Sequence, residues 1–425
     1  MMEQTAAARP SSLSTVGMAV PQAQNQQTNV RYYHPAVLSR IREDCMAQKL
    51  HLRASEFTEV KDLVLWTGTF NVNAKKPVSV AESAKLLYWL RGSHEDKSTP
   101  DVVAVGFQEI VDLNAVNVVV NNMSGPRSAQ WEESILSALN SYVSDNGYQV
   151  VMHKHLVGIL LLVFVRREHA PYVTEVIGTT AGVGIMGMMG NKGGVAIRMK
   201  LYDSPICFVC AHLAAHTHNV AGRNADFANI LTKIEFRESL LDDVNVGYQD
   251  PTDHVLTIHN HDFIFWLGDL NYRLVEDANF TVEDCFVHVE KRNFDLLLSR
   301  DQLNQEREKG NVFQGFEEGP ITFAPTYKFQ AGTSFYDRRP EKKVRAPAWC
   351  DRILWKAQPD TVKLRHYGAA MELDMSDHKP VGAQFLIKVN YEVEEKKDAV
   401  QREICRELDK WESDNKPKVN CPRGL

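Results

Sequence analysis

The chain has 425 residues, 44% of them hydrophobic and 24% charged, with a formal net charge of −6. That is the composition of a soluble globular protein, long enough for two or three domains or for one large α/β domain with extensions. Its acidity excludes a global field drawing it to nucleic acid or anionic membrane, so any anion-binding surface has to be local. The seven cysteines are scattered and show no framework spacing. Without a basic n-region and apolar core at the N-terminus, they argue for free thiols in a reducing compartment. The sequons at Asn122 and Asn279 then read as chance matches.

Residues 1–30 are rich in Ala, Ser, Gln and Asn and bury too little to order themselves. A helical lead-in is expected over 31–60, a main domain over 61–390, and an amphipathic helix with a tail over 391–425. Within the main domain Leu63–Asn73 reads as a strand, 81–92 as a helix, and Val102–Phe107 as a buried strand followed by Gln108 and Glu109. A helix is expected over Gln130–Val143, a strand over Gln149–His153, and a further strand in the ten-residue apolar run Leu156–Val165, which is too short to cross a membrane. A glycine-dense loop, Gly182–Gly194, leads into Val195–Arg198. Ile206–Cys210 is a buried strand with His212 just past its end, and a helix is expected over Arg223–Leu241. Phe263–Leu267 is another buried strand, stopped by Gly268, with Asp269, Asn271 and Arg273 following. Residues 281–309 read as helical, Thr322–Ile353 as basic loop, and Ala383–Val389 as a last strand. Buried strands with polar residues placed just after them favour an α/β fold: one large two-layer β-sandwich flanked by helices, with its chemistry at the strand ends.

Those strand ends supply Asn71, Glu109, His212, Asp269, Asn271, Asp351 and the triplet Ser376-Asp377-His378. Taken singly, each Asn or Asp is equally a turn residue. Together, Glu109, Asp269 and Asp377 offer hard oxygens suited to Mg²⁺, His and Asp suit proton handling, and amides can donate to a developing phosphorane. The set resembles a site for metal-assisted hydrolysis of a phosphate ester. Lys328 and five bases in 338–345, against one acid there, form the strongest local positive patch and imply a polyanionic ligand. Gly182–Gly187 matches GxGxxG but opens no helix, Gly190-Asn-Lys192 is not a Walker A end, and no cysteine has an arginine six positions on. Dinucleotide, P-loop and cysteinyl-phosphate chemistries are therefore set aside.

Nine motifs stand in one order: Thr69-Phe-Asn-Val-Asn73, Gly106-Phe-Gln-Glu109, Gly190-Asn-Lys-Gly-Gly194, His212-Leu-Ala-Ala-His216, Arg223-Asn224, Trp266–Arg273, Pro325-Thr-Tyr-Lys328, Arg345–Arg352 and Ser376–Pro380. On these the chain resembles the type II inositol polyphosphate 5-phosphatases, the group of the synaptojanin phosphatase domain and the Lowe-syndrome phosphatase, over roughly residues 60–390. The resemblance implies the deoxyribonuclease-like endonuclease/exonuclease/phosphatase fold. It also implies Mg²⁺-dependent hydrolysis of the 5-phosphate of PI(4,5)P₂ and PI(3,4,5)P₃, with soluble Ins(1,4,5)P₃ as a further substrate. Carried over, Glu109 and Asn71 hold the metal with Asp377 nearby, Asp269 orients or deprotonates the attacking water, and Asn271 stabilises the transition state. His378 paired with Asp351, and His212, contact the scissile phosphate. Tyr327, Lys328, Lys343 and Arg345 grip a 4-phosphate, and Lys192 and Arg273 support.

Two departures from the family pattern are visible. Ala74 stands where glycine is usual, and Cys210-Ala211 where Asn-Ser is usual. The loops carrying Val118 and Val119, and Met186, Met188 and Met189, are expected to contact lipid. The implied partner is therefore a phosphoinositide membrane surface, reached by a monomer from the cytoplasm. No nucleic-acid partner is expected, since a duplex-binding nuclease on the same fold would carry an extended basic surface. A catalytically dead scaffold would lack catalytic side chains that this chain retains.

Overall fold

The computed structural model describes residues 35–77, 83–91, 99–112, 124–143, 146–183, 192–237 and 255–415. The N-terminal 30 residues and Val118, Val119, Met186, Met188 and Met189 lie outside the described residues. The chain divides into two compact units, Ser55–Lys397, and Met1–Ala54 together with Asp398–Leu425.

The described residues of the larger unit form fourteen strands. They are β1 (Thr58–Asn71), β2 (Val102–Gln108), β3 (Tyr148–Leu156), β4 (Ile159–Arg166), β5 (Val173–Gly182), β6 (Gly193–Leu201) and β7 (Ser204–His212). After these come β8 (Glu235–Phe236), β9 (Leu256–Thr257), β10 (Phe263–Asp269), β11 (Glu317–Glu318), β12 (Asp351–Ala357), β13 (Val362–Ala369) and β14 (Val381–Glu392). Two six-stranded sheets result, in the orders β13-β14-β1-β2-β4-β3 and β11-β12-β10-β7-β6-β5. The expected two-layer sandwich is thus the observed architecture.

Alternation along each strand divides the apolar residues between the two faces of a sheet. Leu63, Leu65, Val102, Ala104 and Leu161 of one sheet share a core with Ile197, Phe208, Phe265, Leu267 and Ile353 of the other. The intervening residues face outward under helices. Trp66, Val103 and Val105 are covered by α2 (Ser83–Arg91) and α3 (Ser124–Asn140), which contribute Leu86, Trp89, Trp131 and Ile135. Val209, Ile264 and Trp266 are covered by α4 (Val220–Lys233), through Phe227 and Ile230. Strands buried on both faces read as unbroken apolar runs, which is why β2, β4 and β10 are plain in the sequence.

The register places the chemistry. β1 pairs in parallel with β2, with Asn71 opposite Gln108. β7 pairs in parallel with β10, with His212 opposite Asp269, and β12 runs antiparallel to β10 with Asp351 opposite Asp269. Gly268 permits this pairing. Its φ is +151°, and a Cβ there would lie 2.0 Å from the Ala211 carbonyl oxygen.

Several expected elements differ. The run Leu156–Val165 is a buried strand only from Ile159 on, because Gly158 at φ +76° reverses the chain and leaves Leu156 as the end of β3. The helix expected to reach Leu241 ends at Lys233, and β8 follows. Residues 281–309 break into α5 (Val282–Glu290), α6 (Phe294–Ser299) and α7 (Gln302–Glu308), α5 and α7 being restarted by the side-chain caps Thr281 and Asp301.

In the smaller unit α1 (Pro35–Leu52) and α8 (Glu394–Asn415) carry the ion pairs Arg42–Asp409 and Arg42–Glu412 (both 2.6 Å), Lys49–Glu407 (2.5 Å) and Arg53–Glu403 (2.8 Å). Exposed pairs of this kind contribute little singly. Val400 and Ile404 are buried, as their apolar spacing predicts, while Trp411 on the same predicted face stays 65% exposed.

Candidate active site

Asp269 is the centre of the site. It ends β10 in the buried sheet, and four groups converge on its carboxylate. The Asn271 backbone N–H donates to Oδ1 (3.0 Å) and Asn71 Nδ2 to Oδ2 (2.9 Å). His212 Nε2 lies 3.4 Å and His378 Nε2 3.9 Å from Oδ2. Burial opposes ionisation, but the hydrogen bond from His212 and the charges of His378 and Lys192 outweigh it and hold the Asp269 carboxyl below the ordinary carboxylate range.

His378 is oriented from behind. Its Nδ1 lies 2.9 Å from Asp351 Oδ2, which also accepts from Thr326 Oγ1 at 2.7 Å. Burial alone would discharge the ring. The Asp351, Asp269 and Asp377 carboxylates prevail and push it up to about 9, so His378 is an imidazolium at neutral pH with Nε2 toward Asp269. Burial raises the Asp351 carboxyl. Among the described residues its Oδ1 has no hydrogen-bond partner, nor has His212 Nδ1. His212 goes the other way: burial, then the Lys192 charge, lower it, and its Nε2 lies in hydrogen-bond contact with Lys192 Nζ. Burial likewise lowers Lys192.

Glu109 follows β2 at φ +54°, with a side chain 30% exposed. Its Oε1 accepts from Asn71 Nδ2 (3.2 Å) and lies 3.8 Å from His212 Nε2. Asn71 therefore turns its nitrogen to the two carboxylates, and its oxygen accepts the Asn73 backbone N–H at 3.0 Å. Asp377 is turned to Lys328 Nζ at 2.9 Å. Asn71 Oδ1 and Asp377 Oδ2 each have one protein partner in this arrangement, the Asn73 N–H and Lys328 Nζ. Glu109 is the exposed hard-oxygen donor of the group, and such a carboxylate beside Asp269 fits a hard cation that keeps water among its ligands.

Asn271, at φ +57°, donates from Nδ2 to the Leu213 carbonyl (3.1 Å), while Arg273 grips its other end. The guanidinium donates to Asn271 Oδ1 and, through Nε, to the Asn271 carbonyl (3.2 Å). The same guanidinium stacks on the Tyr327 ring at 4.2 Å. Sequence reading gave Arg273 only a supporting place and missed Thr326. Both stand in quoted motifs.

The basic loop is less free than its charge count suggests. Arg338 is bound to Glu283 at 2.6 Å, Arg339 to Asp337 at 2.7 Å and Lys328 to Asp377. Lys343 and Arg345, with Tyr327 and Arg273, line a cavity of about 230 Å³ closed by His216 and His218. The structure thus gathers Asn71, Glu109, His212, Asp269, Asn271, Asp351 and His378 into one cluster. It sets Tyr327, Lys343 and Arg345 on an adjoining cavity and leaves Lys328 and Asp377 as a pair between them.

Residues 68–384 match the model of Endonuclease/Exonuclease/phosphatase family 2. The chain is 40% identical over 379 residues to a type II inositol 1,4,5-trisphosphate 5-phosphatase of Mus musculus, covering 89% of this chain and 35% of the relative. It is 36% identical to a synaptojanin of Caenorhabditis elegans, covering 84% of this chain and 30% of the relative. It thus spans about a third of the length of these curated relatives. A solved inositol polyphosphate 5-phosphatase domain of a synaptojanin, in complex with inositol (1,4)-bisphosphate and calcium ion, superposes with a TM-score of 0.69 at 30% identity, covering 90% of this chain and 99% of that one. On these matches the chain belongs to Endonuclease/Exonuclease/phosphatase family 2 and, within it, to the inositol polyphosphate 5-phosphatases.

Proposed function

We propose that the chain hydrolyses the 5-phosphate of phosphoinositides, PI(4,5)P₂ and PI(3,4,5)P₃ first, and of soluble Ins(1,4,5)P₃. The observation that carries this reading is the juxtaposition of a carboxylate–imidazolium cluster, Asp269–His378–Asp351, with a separate cationic cavity holding Lys343 and Arg345. Adjacent phosphates on one ring need two such places, one for reaction and one for grip.

Mg²⁺ is the proposed ion. Glu109 would hold it, with Asn71 fixing the Glu109 carboxylate, and it would supply Lewis-acid charge at the scissile phosphate. Asp269, held ionised, accepts from and orients the attacking water, and its low proton affinity favours orientation over full deprotonation. His378 donates from Nε2 to a phosphoryl oxygen, while Asp351 and Thr326 fix its ring. Neutral His212, backed by Lys192, lies beside the same oxygens. Arg273 holds the Asn271 amide for the transition state and ties it to the Tyr327 wall of the cavity. Lys343 and Arg345 grip the 4-phosphate, so PI(5)P, which lacks it, is a poor substrate. Peripheral association with a membrane from the cytoplasm, as a monomer, belongs to the same reading.

The test is phosphate release from PI(4,5)P₂ and PI(3,5)P₂ in Mg²⁺ or EDTA, with Asp269→Asn alongside. Release from PI(4,5)P₂ should need Mg²⁺, fall by roughly 10³-fold in the variant and be much weaker on PI(3,5)P₂. Equal release from both lipids would remove the grip. Release that survives EDTA would remove the metal.

A further inference from the structure

Among the described residues of Ser55–Lys397, the most exposed large hydrophobic side chain is Phe335, at 76%. It sits in a hairpin that grows out of the active-site wall. Tyr327 bridges to His378, the Phe329 N–H donates to the Asp377 carbonyl (2.9 Å), and Phe329 pairs with Tyr336 across the hairpin base, their rings stacked at 4.3 Å. The tip is tied down. The Gln330 N–H donates to the Phe335 carbonyl (2.9 Å) and the Gly332 N–H to the Asp374 carbonyl (2.6 Å), while buried Lys379 donates to the Thr333 carbonyl (3.3 Å). The fold therefore holds an aromatic ring out in water, where its hydration is unfavourable, and none of the described residues covers it.

The chemistry around the tip selects its occupant. Residues 330–336 carry no charge, whereas 337–345 carry five bases and two acids, Asp337 being paired with Arg339. Of those bases Lys342, Lys343 and Arg345 have no ion pair among the described residues. The nearest acid of the neighbouring loop, Asp374, faces Lys85 at 3.9 Å. An uncharged turn with an aromatic tip and cations beside it suits the headgroup level of an anionic bilayer. The ring enters the interface without a charge to desolvate, and the bases gain from the lipid charge. Phe335 lies across from Gln330, two residues past Lys328, so roughly 7 Å of extended chain separates the Lys328–Asp377 pair from the tip.

We propose that the Phe329–Tyr336 hairpin is a membrane-docking finger, with Phe335 as the side chain that enters an anionic lipid surface beside the catalytic mouth. This rests on the phosphoinositide reading and adds a residue and a surface to it. The test uses the full chain with phosphatidylcholine vesicles containing phosphatidylserine and PI(4,5)P₂. Co-sedimentation and phosphate release are measured for wild type, Phe335→Asp and Phe335→Trp, with soluble Ins(1,4,5)P₃ as control. Phe335→Asp should lose about tenfold in vesicle binding and vesicle hydrolysis while turning over Ins(1,4,5)P₃ as wild type does. The conservative Phe335→Trp should keep both, and its emission should shift to the blue with vesicles relative to wild type. Unchanged vesicle binding by Phe335→Asp, or equal loss on the soluble substrate, overturns the proposal. So does Phe335→Trp emission that vesicles leave unmoved, which would point to a protein partner instead. Co-sedimentation needs no catalysis, so hydrolysis of neither substrate would count against the phosphatase reading while the binding arm still decides the finger.

Discussion

Asp351 and Arg352 are neighbours on β12, both fully buried and both in ionic clusters, yet they serve opposite ends. Successive strand residues face opposite sides of a sheet. Asp351 enters the catalytic cluster, while Arg352 turns to the helical side. Every Arg352 nitrogen is bound to protein: Nε to Glu318 Oε1 (2.7 Å), Nη1 to Asp301 Oδ1 (2.9 Å), Nη2 to Glu318 Oε2 (2.8 Å) and Asn304 (3.2 Å). Around Asp269 the histidine nitrogens stand off at 3.4 and 3.9 Å, and Glu109 reaches solvent. Backbone strain is divided the same way. Asn73, Ala74, Glu109 and Asn271 all take positive φ, and none of Asp301, Glu318 or Arg352 does. Closed pairing holds the fold, while loose pairing and strain leave room for a ligand.

The largest effect expected from this contrast is at Arg352. Arg352→Met strips the charge from buried Asp301 and Glu318, and should cost about 3–5 kcal/mol in urea unfolding, with turnover lost only as the protein unfolds. A fall in kcat at full stability would break the division.

A smaller effect comes from pH. His378 titrates at about 9 in the fold against 6.5 for an ordinary histidine. Its contribution to stability is then whole below about 6.5 and lost as pH rises through about 9. Melts in EDTA at pH 6 and pH 10 should differ more for the parent than for His378→Gln, whereas Arg352, which does not titrate in this window, should not alter that difference. An identical pH dependence in His378→Gln would remove the imidazolium from the account.

The smallest effect is at Ala74, whose φ of +59° a side chain adopts at a cost of about 1 kcal/mol. Ala74→Gly should raise stability by at most about that amount in denaturant titrations. The Ala74 N–H donates to the Glu109 carbonyl at 2.7 Å, so the substitution also tests whether strain there alters catalysis. A destabilised Ala74→Gly would show that the left-handed turn is not held against local preference.

Much of this contrast was legible in the sequence. The strands buried on both faces, and the polar residues following them, announced themselves as apolar runs with breaks, and their agreement in one order named the family. Half-buried β5 and β13, with patterns broken by register shifts, did not stand out. Neither did the reversal at Gly158 inside an apolar run, since composition does not mark where such a run folds back. At the site, residue types were readable but amide orientation and ion pairing were not. Asn71 turning its nitrogen inward, and Lys328 being taken by Asp377, depend on neighbours distant in sequence. The exposed Phe335 was invisible for a simpler reason: one aromatic in a basic loop says nothing of burial until the loop is folded.

The pairing of β1 with β14 bears on how the chain is made. Their register runs from Thr58 opposite Glu392 to Thr69 opposite Val381, and β1 holds a central place in its sheet. Roughly 310 residues separate the two strands, so at about 5–20 residues/s a ribosome needs about 15–60 s to supply the partner. For that interval Leu63, Leu65 and the open hydrogen-bonding edge of β1 must be kept from other nascent chains, and the window for chaperone capture is set by the last strand to emerge.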